Sequence, residues 1–333
     1  MTQHKVSLPG SERSRVATSR LVEPLKDDET LSVNLVIRYP IGAPPLPDLS
    51  YRGKQHRRHI TRQEYAKTYS ASPSDINLVH DFVTQHGMTV TETNSATRNV
   101  TIKGTVGQFK DAFEIQLNGY ESPLPPRRRP RTTTYDQAPQ SHIHRGFDGQ
   151  VRLPETLSGI IIAVVGLDNR SRTGSNDGDS PGAKPLTVPQ VSQLYNFPPS
   201  QTGTIGAASG QTIGIMAPSR PSTLGSLSFQ TGYTQDDINM FFEENLSLKT
   251  GIVPVPVNLT VDGTLYENPN EGEGQEITGD ICTAAAVALG ATINVYFTAD
   301  TELGWQICLN RILQPPAGAL ENPPTVVSTS FLF

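Results

Sequence analysis

Histidine is missing from the second half of the 333-residue sequence: all seven (His4, His56, His59, His80, His86, His142 and His144) precede position 145. That half therefore has no imidazole for a Ser-His-Asp triad or for the usual zinc sites. Acid-base chemistry there falls to carboxylates, which implies an acidic working pH unless burial raises a pKa. Cations are scarce in the same region. Residues 188–333 hold only Arg220, Lys249 and Arg311 against 13 Asp and Glu, a net of −10; subtraction from the totals of 27 and 32 leaves 24 cations and 19 carboxylates before position 188, a net of +5. A basic first half beside an acidic second half is what two mutually attracting parts would show, loosening as carboxylates protonate; an unevenly charged solvated surface would show it too.

Cysteine is nearly absent. Cys282 and Cys308 fall on predicted helices with apolar neighbours and read as two buried thiols rather than a bridge. No apolar run reaches membrane-spanning length, and no membrane partner is expected. The start of the chain has no apolar core of a secretory signal, so no export route is visible, and residues 1–30 read as a disordered arm.

A length of 333 residues suggests two domains. Leu31 to Tyr39 alternates as a half-buried strand and runs into a Pro-rich loop, then a basic stretch over Arg52 to Arg62 and a short helix around Glu64 to Tyr69. Ser72-Pro73-Ser74-Asp75 opens a helix that Gly87 ends. Met88 to Thr93 and Asn99 to Lys103 read as strands, Val106 to Phe113 as a helix, and Glu114 to Leu117 as a closing strand. This order of strand, helix, strand, strand, helix, strand is the split βαβ, ferredoxin-like pattern. The Pro/Arg-rich residues 121–141 read as a loop. Arg127, Arg128 and Arg129 lack the aromatic interleaving of a nucleic-acid site, and no nucleic-acid partner is expected. Residues 169–187 have the composition of a flexible linker, where proteases cut.

After the linker, strands at Gln211 to Ala217, Val253 to Val261, Thr292 to Phe297 and Thr325 to Phe333 alternate with helices at Thr187 to Tyr195, Gly232 to Phe242, Gly274 to Ala288 and Leu303 to Leu313. Near-continuous apolar strands between helices predict a mostly parallel α/β sheet. The chain stops inside the last of them, so the sheet is expected to be incomplete.

The helix over Gly274 to Ala288 carries so many apolar residues that it reads as buried on all sides. Glu276 and Asp280 ride on it four residues apart, on one face, with Cβ atoms roughly 5–6 Å apart. Like charges placed together there require partial protonation or a favourable helix N-terminus facing water.

From Leu31 to Phe331 the chain resembles the sedolisins, the serine-carboxyl peptidases, and the kumamolisin type in particular. The resemblance is carried by the helix Ser74 to Gly87, Ala112-Phe113, Gly146-Phe147-Asp148-Gly149, Val151 to Pro154 and Val165 to Asp168. It continues in Leu194 to Pro198, Gly210 to Ile215, Gly290 to Phe297 and Val326 to Phe331. It implies a pro-kumamolisin activation domain over 31–168, a linker with a processing site over 169–187, and the N-terminal part of a subtilisin-like peptidase domain over 188–333. It further implies that Glu276 is the general base for a nucleophilic serine and that Asp280 orients and charge-balances Glu276. Protein or peptide substrates, contact between prodomain and peptidase, and secretion are implied too. The family's serine, in a Ser-Gly-Thr-Ser type motif, and its oxyanion Asp have no counterpart in these 333 residues. Calcium is expected by resemblance in the same missing part. The kumamolisin type has a further Glu where this chain has Ala217. The expectation is a truncated zymogen of an acid-acting endopeptidase, inactive alone, or alternatively a non-catalytic inhibitor or folding module acting on a full-length relative.

Overall fold

The computed structural model describes residues 4–15, 18–46, 60–123, 141–170, 187–195, 208–219, 232–246, 253–261, 273–317, 319 and 322–330. The basic stretch over 51–59, the Pro/Arg loop over 124–140 and nearly all of the linker lie outside them. The chain divides into two compact units, the first formed from Met1–Pro123 and Ser141–Arg170.

The first unit runs β1 (Lys5–Ser7), β2 (Arg20–Pro24), β3 (Thr30–Ile37), α1 (Arg62–Tyr69), α2 (Pro73–Gln85), β4 (Thr89–Asn94), β5 (Asn99–Thr105), α3 (Val106–Phe113), β6 (Asn118–Pro123), β7 (Ser141–Gly146), β8 (Arg152–Pro154) and β9 (Ile161–Val165). Its main sheet has the order β4-β5-β3-β9, antiparallel throughout. Each helix begins where the sequence supplies an acceptor for the unpaired first-turn amides. Ser72 caps α2 with Pro73 behind it, and Thr61 and Thr105 form capping boxes with Glu64 and Gln108. Val79, Phe82 and Val83 of α2 and Val106, Phe109 and Phe113 of α3 share one core with Val33, Leu35 and Ile37 of β3. Each such side chain contributes about 1.5–3 kcal/mol when fully buried.

Two expectations fail here. Glu114 to Leu117 is not a strand: Glu114 caps α3 in the left-handed region (φ 51°), which turns the chain away while Ile115 and Leu117 anchor in the core. The fourth place in the sheet goes to β9, beside β3. Nor do the described residues of 1–30 form a disordered arm. β1 pairs with β8, β2 pairs with β6, and Leu8 is buried, because strands formed far later in sequence offer them open edges.

The second unit holds α4 (Val188–Leu194), β10 (Thr212–Ser219), α5 (Gln235–Leu246), β11 (Val257–Thr260), α6 (Glu273–Val287), β12 (Thr292–Ala299), α7 (Glu302–Leu313) and β13 (Val326–Ser328). The sheet is parallel in the order β11-β12-β10-β13. Strand side chains alternate between its faces. Ile215, Ala217, Ile293, Val295 and Phe297 form one core with residues of α5 and α6, whereas Met216 and Tyr296 pack with Trp305, Cys308 and Ile312 of α7. Helices thus cover both faces, as a parallel sheet requires. β11 is shorter than the strand expected from Val253, since Pro254 and Pro256 have no amide hydrogen for a ladder. No helix among the described residues is long and apolar enough to cross a membrane.

Candidate active site

α6 is buried on one side only, which corrects the expectation of a helix enclosed all round. Ile277, Ile281, Cys282, Ala285 and Ala286 are buried, while Glu276, Gly279 and Thr283 are exposed. The spacing i, i+3, i+7 places those three on one stripe. Gly279 has open space where a Cβ would stand.

Asp280 sits at the border of the two sides. Its Oδ1 accepts a hydrogen bond from Ser330 Oγ, and its Oδ2 is buried with no hydrogen-bond partner among the described residues. Burial pushes the Asp280 carboxyl above the ordinary aspartate range; the Ser330 hydroxyl pulls the other way, and the negative charge of Glu276 adds to the rise. No cation contributes. The structure therefore brings Glu276 and Asp280 together on one helix, as the four-residue spacing requires, with the inner carboxyl biased toward its protonated form.

The surroundings limit what other chemistry α6 can do. Burial, together with the charge of Asp237, pushes the Cys282 thiol up to about 12, so it is not a thiolate at neutral or acid pH. Both cysteines are buried and unbridged. Ala217 is fully buried in β10 and packs in the core shared with α6, so at this position the strand offers no carboxylate. Among the described residues no group of three or more His, Cys, Asp or Glu side chains is gathered to hold a metal ion.

Ser330 is the site residue that sequence reasoning assigned only to a strand. Its signal was topological, since it follows the carboxyl end of β13, a strand of a parallel sheet, where such sheets place their functional groups. β13 is registered on β10 through Val326 opposite Ile213 and Ser328 opposite Ile215. Gly214 permits this, because a Cβ there would stand 2.9 Å from Pro324 Cγ. Asn294 Nδ2 also donates to Asn322 O at 2.9 Å.

Residues 19–170 match the family model for the pro-kumamolisin activation domain. Along 331 residues the chain is 33% identical to tripeptidyl-peptidase sed5 of Aspergillus fumigatus, covering 97% of this chain and 55% of that protein. It is 26% identical over 327 residues to kumamolisin of Bacillus sp. (strain MN-32), covering 92% of this chain and 52% of that protein. The chain thus spans about half the length of the curated relatives it matches.

Proposed function

From a chain that is related to the sedolisins and carries a pro-kumamolisin activation domain, we propose the precursor of an acid-acting serine-carboxyl endopeptidase, with the peptidase pair on α6. In this reading the first unit is the activation domain with a ferredoxin-like core, the linker over 169–187 holds the processing bond, and the parallel sheet of the second unit is the front of a subtilisin-like domain. Glu276 takes the proton of a serine hydroxyl. Asp280 holds a proton of its own close by, so that Glu276 can stand ionised and ready to accept one without two full negative charges meeting at a half-buried place. The observation that carries the reading is the half-buried Asp280, without a cation, one turn from Glu276 in a unit without histidine. Its substrates are proteins or peptides. Calcium, where bound in the complete protein, is proposed to stabilise the fold.

The nucleophile is not among these residues in the family's motif, so the 333-residue chain alone is expected to hydrolyse no peptide and to keep its intact mass after a shift from pH 7 to pH 4. The test is to join it to the C-terminal portion of tripeptidyl-peptidase sed5 and assay peptide hydrolysis from pH 3 to 7. Acid-favoured activity that falls by about 10²–10⁴-fold in Glu276→Gln supports the reading. Activity indifferent to Glu276→Gln and Asp280→Asn contradicts it.

A further inference from the structure

We propose that Ser330 is a positioning residue of the carboxylate pair, one that makes the two oxygens of Asp280 unequal and places the Asp280 proton on Oδ2. The inference rests on reading Glu276 and Asp280 as a proton-sharing pair, and it adds a residue and an atom to that reading.

A carboxyl group in isolation has two equivalent oxygens, and its proton exchanges between them. Here they differ. Oδ1 accepts from the Ser330 hydroxyl, so one of its two lone pairs is engaged and its charge is partly satisfied in the ionised form. Oδ2 is buried and has no partner among the described residues, so it is the oxygen on which ionisation leaves charge unsolvated. Protonation at Oδ2 removes that cost and keeps the Ser330 bond. A proton held at one atom does not exchange between the two oxygens, so Asp280 keeps one protonated form beside the charge of Glu276.

The hydroxyl is brought there from 50 residues away in sequence. Its delivery depends on the register of β13 on β10, which is set by the missing side chain of Gly214 against Pro324 and by the Asn294 bond to Asn322. Ser330 is itself exposed, so its hydroxyl is not explained by a need to satisfy a buried donor. The other charged groups near α6 do not do its work. α4 and β10, which pack on α6, contain no titratable side chain. Asp236, Asp237, Glu243 and Glu244 of α5 are all acidic, and none is among the groups that perturb Asp280.

The test compares Ser330→Thr with Ser330→Val, two side chains of nearly equal shape that differ by the hydroxyl. Aspartate and glutamate carboxyl carbons of the 333-residue chain are titrated by ¹³C NMR, together with Glu276→Gln. Thr is expected to keep the Asp280 midpoint. Val is expected to move it upward, because the bond to the ionised form is lost. Glu276→Gln is expected to move it downward, because the like charge is lost. Thr and Val variants that titrate alike overturn the role of Ser330 even if Glu276→Gln behaves as expected. An Asp280 midpoint unmoved by Glu276→Gln overturns the pair itself, whatever Ser330 does. Position 330 is on the surface, and thermal unfolding of each variant verifies that the comparison is made between folded chains.

Discussion

Both units hold aspartates wholly or partly withdrawn from water, and two of them, Asp168 and Asp280, are treated in opposite ways. Asp168, in the first unit, is buried among guanidinium groups. Arg170 Nε donates to its Oδ2 at 2.7 Å, and the Arg170 amide donates to Oδ1 at 2.9 Å. Arg145 lies beside it, its guanidinium donating to the carbonyls of Gly166 and Leu167 at 2.8 and 3.0 Å. Burial lowers the Arg145 pKa, and the charge of Asp168 works against that fall. Asp75 is handled similarly, with both oxygens bonded by Arg38 at 2.9 and 3.0 Å. Asp280, in the second unit, has a serine hydroxyl, a carboxylate neighbour and no cation. A buried carboxylate with both oxygens bonded by arginine secures a fold. One left half-satisfied beside a like charge is poised to hold a proton.

The largest effect that would sharpen the comparison is on stability. Removing Asp168 takes the carboxylate partner from Arg170 and a counter-charge from the buried Arg145, and Asp168→Ala is expected to destabilise the first unit by about 3–5 kcal/mol in urea unfolding. Asp280→Asn is expected to raise stability at pH 7, since the asparagine never ionises. A loss as large as that of Asp168→Ala would erase the contrast.

The pH dependence follows from the signs of the shifts. Folding raises the Asp280 pKa, so above an ordinary aspartate value of about 3.9 the folded chain retains a proton that the unfolded chain has released. The Asp280 contribution to stability therefore falls as pH rises through the interval between the two values. Glu121 has the opposite sign. Its pKa is lowered by the bonds from Arg20 and Ser141, and its contribution is lost as pH falls below the ordinary carboxylate range. Urea midpoints of Asp280→Asn and Glu121→Gln across pH 3–7 are expected to depart from the unsubstituted chain with opposite slopes.

Smaller effects concern α6 itself. Cys282, with its thiol pushed up to about 12, is expected to resist iodoacetamide at pH 7.5 until the chain is unfolded. Gly279 has no neighbour that a Cβ would meet, so Gly279→Ala is expected to stabilise the helix by about 0.5–1 kcal/mol. The same substitution narrows the open stripe beside Glu276, and a loss of peptide hydrolysis in the fusion to the C-terminal portion of tripeptidyl-peptidase sed5, without loss of stability, would mark that stripe as the path of the substrate.

Much of this was legible in sequence because local rules dominate it. The Thr105 and Gln108 capping box fixes α3, and the apolar runs of β10 and β12 read as buried parallel strands. The four-residue spacing alone brought Glu276 and Asp280 together. What escaped depended on contacts remote in sequence. β9 takes the fourth place in the first sheet because Glu114 turns the chain aside, and β1 takes its place by pairing with β8. Ser330 acquires its place from the β10–β13 register, which no spacing encodes. The exposed side of α6 is carried by Glu276, Gly279 and Thr283, a stripe obscured in the sequence by the apolar residues between them.

The contrast between the two aspartates is tested most directly by titrating the carboxyl carbons of Asp280 and its neighbours in the 333-residue chain with and without Glu276→Gln. An Asp280 midpoint above the ordinary aspartate range, which falls when Glu276 loses its charge, is the result expected of a proton-sharing pair. An Asp280 that ionises at or below the ordinary range, indifferent to Glu276, would contradict it.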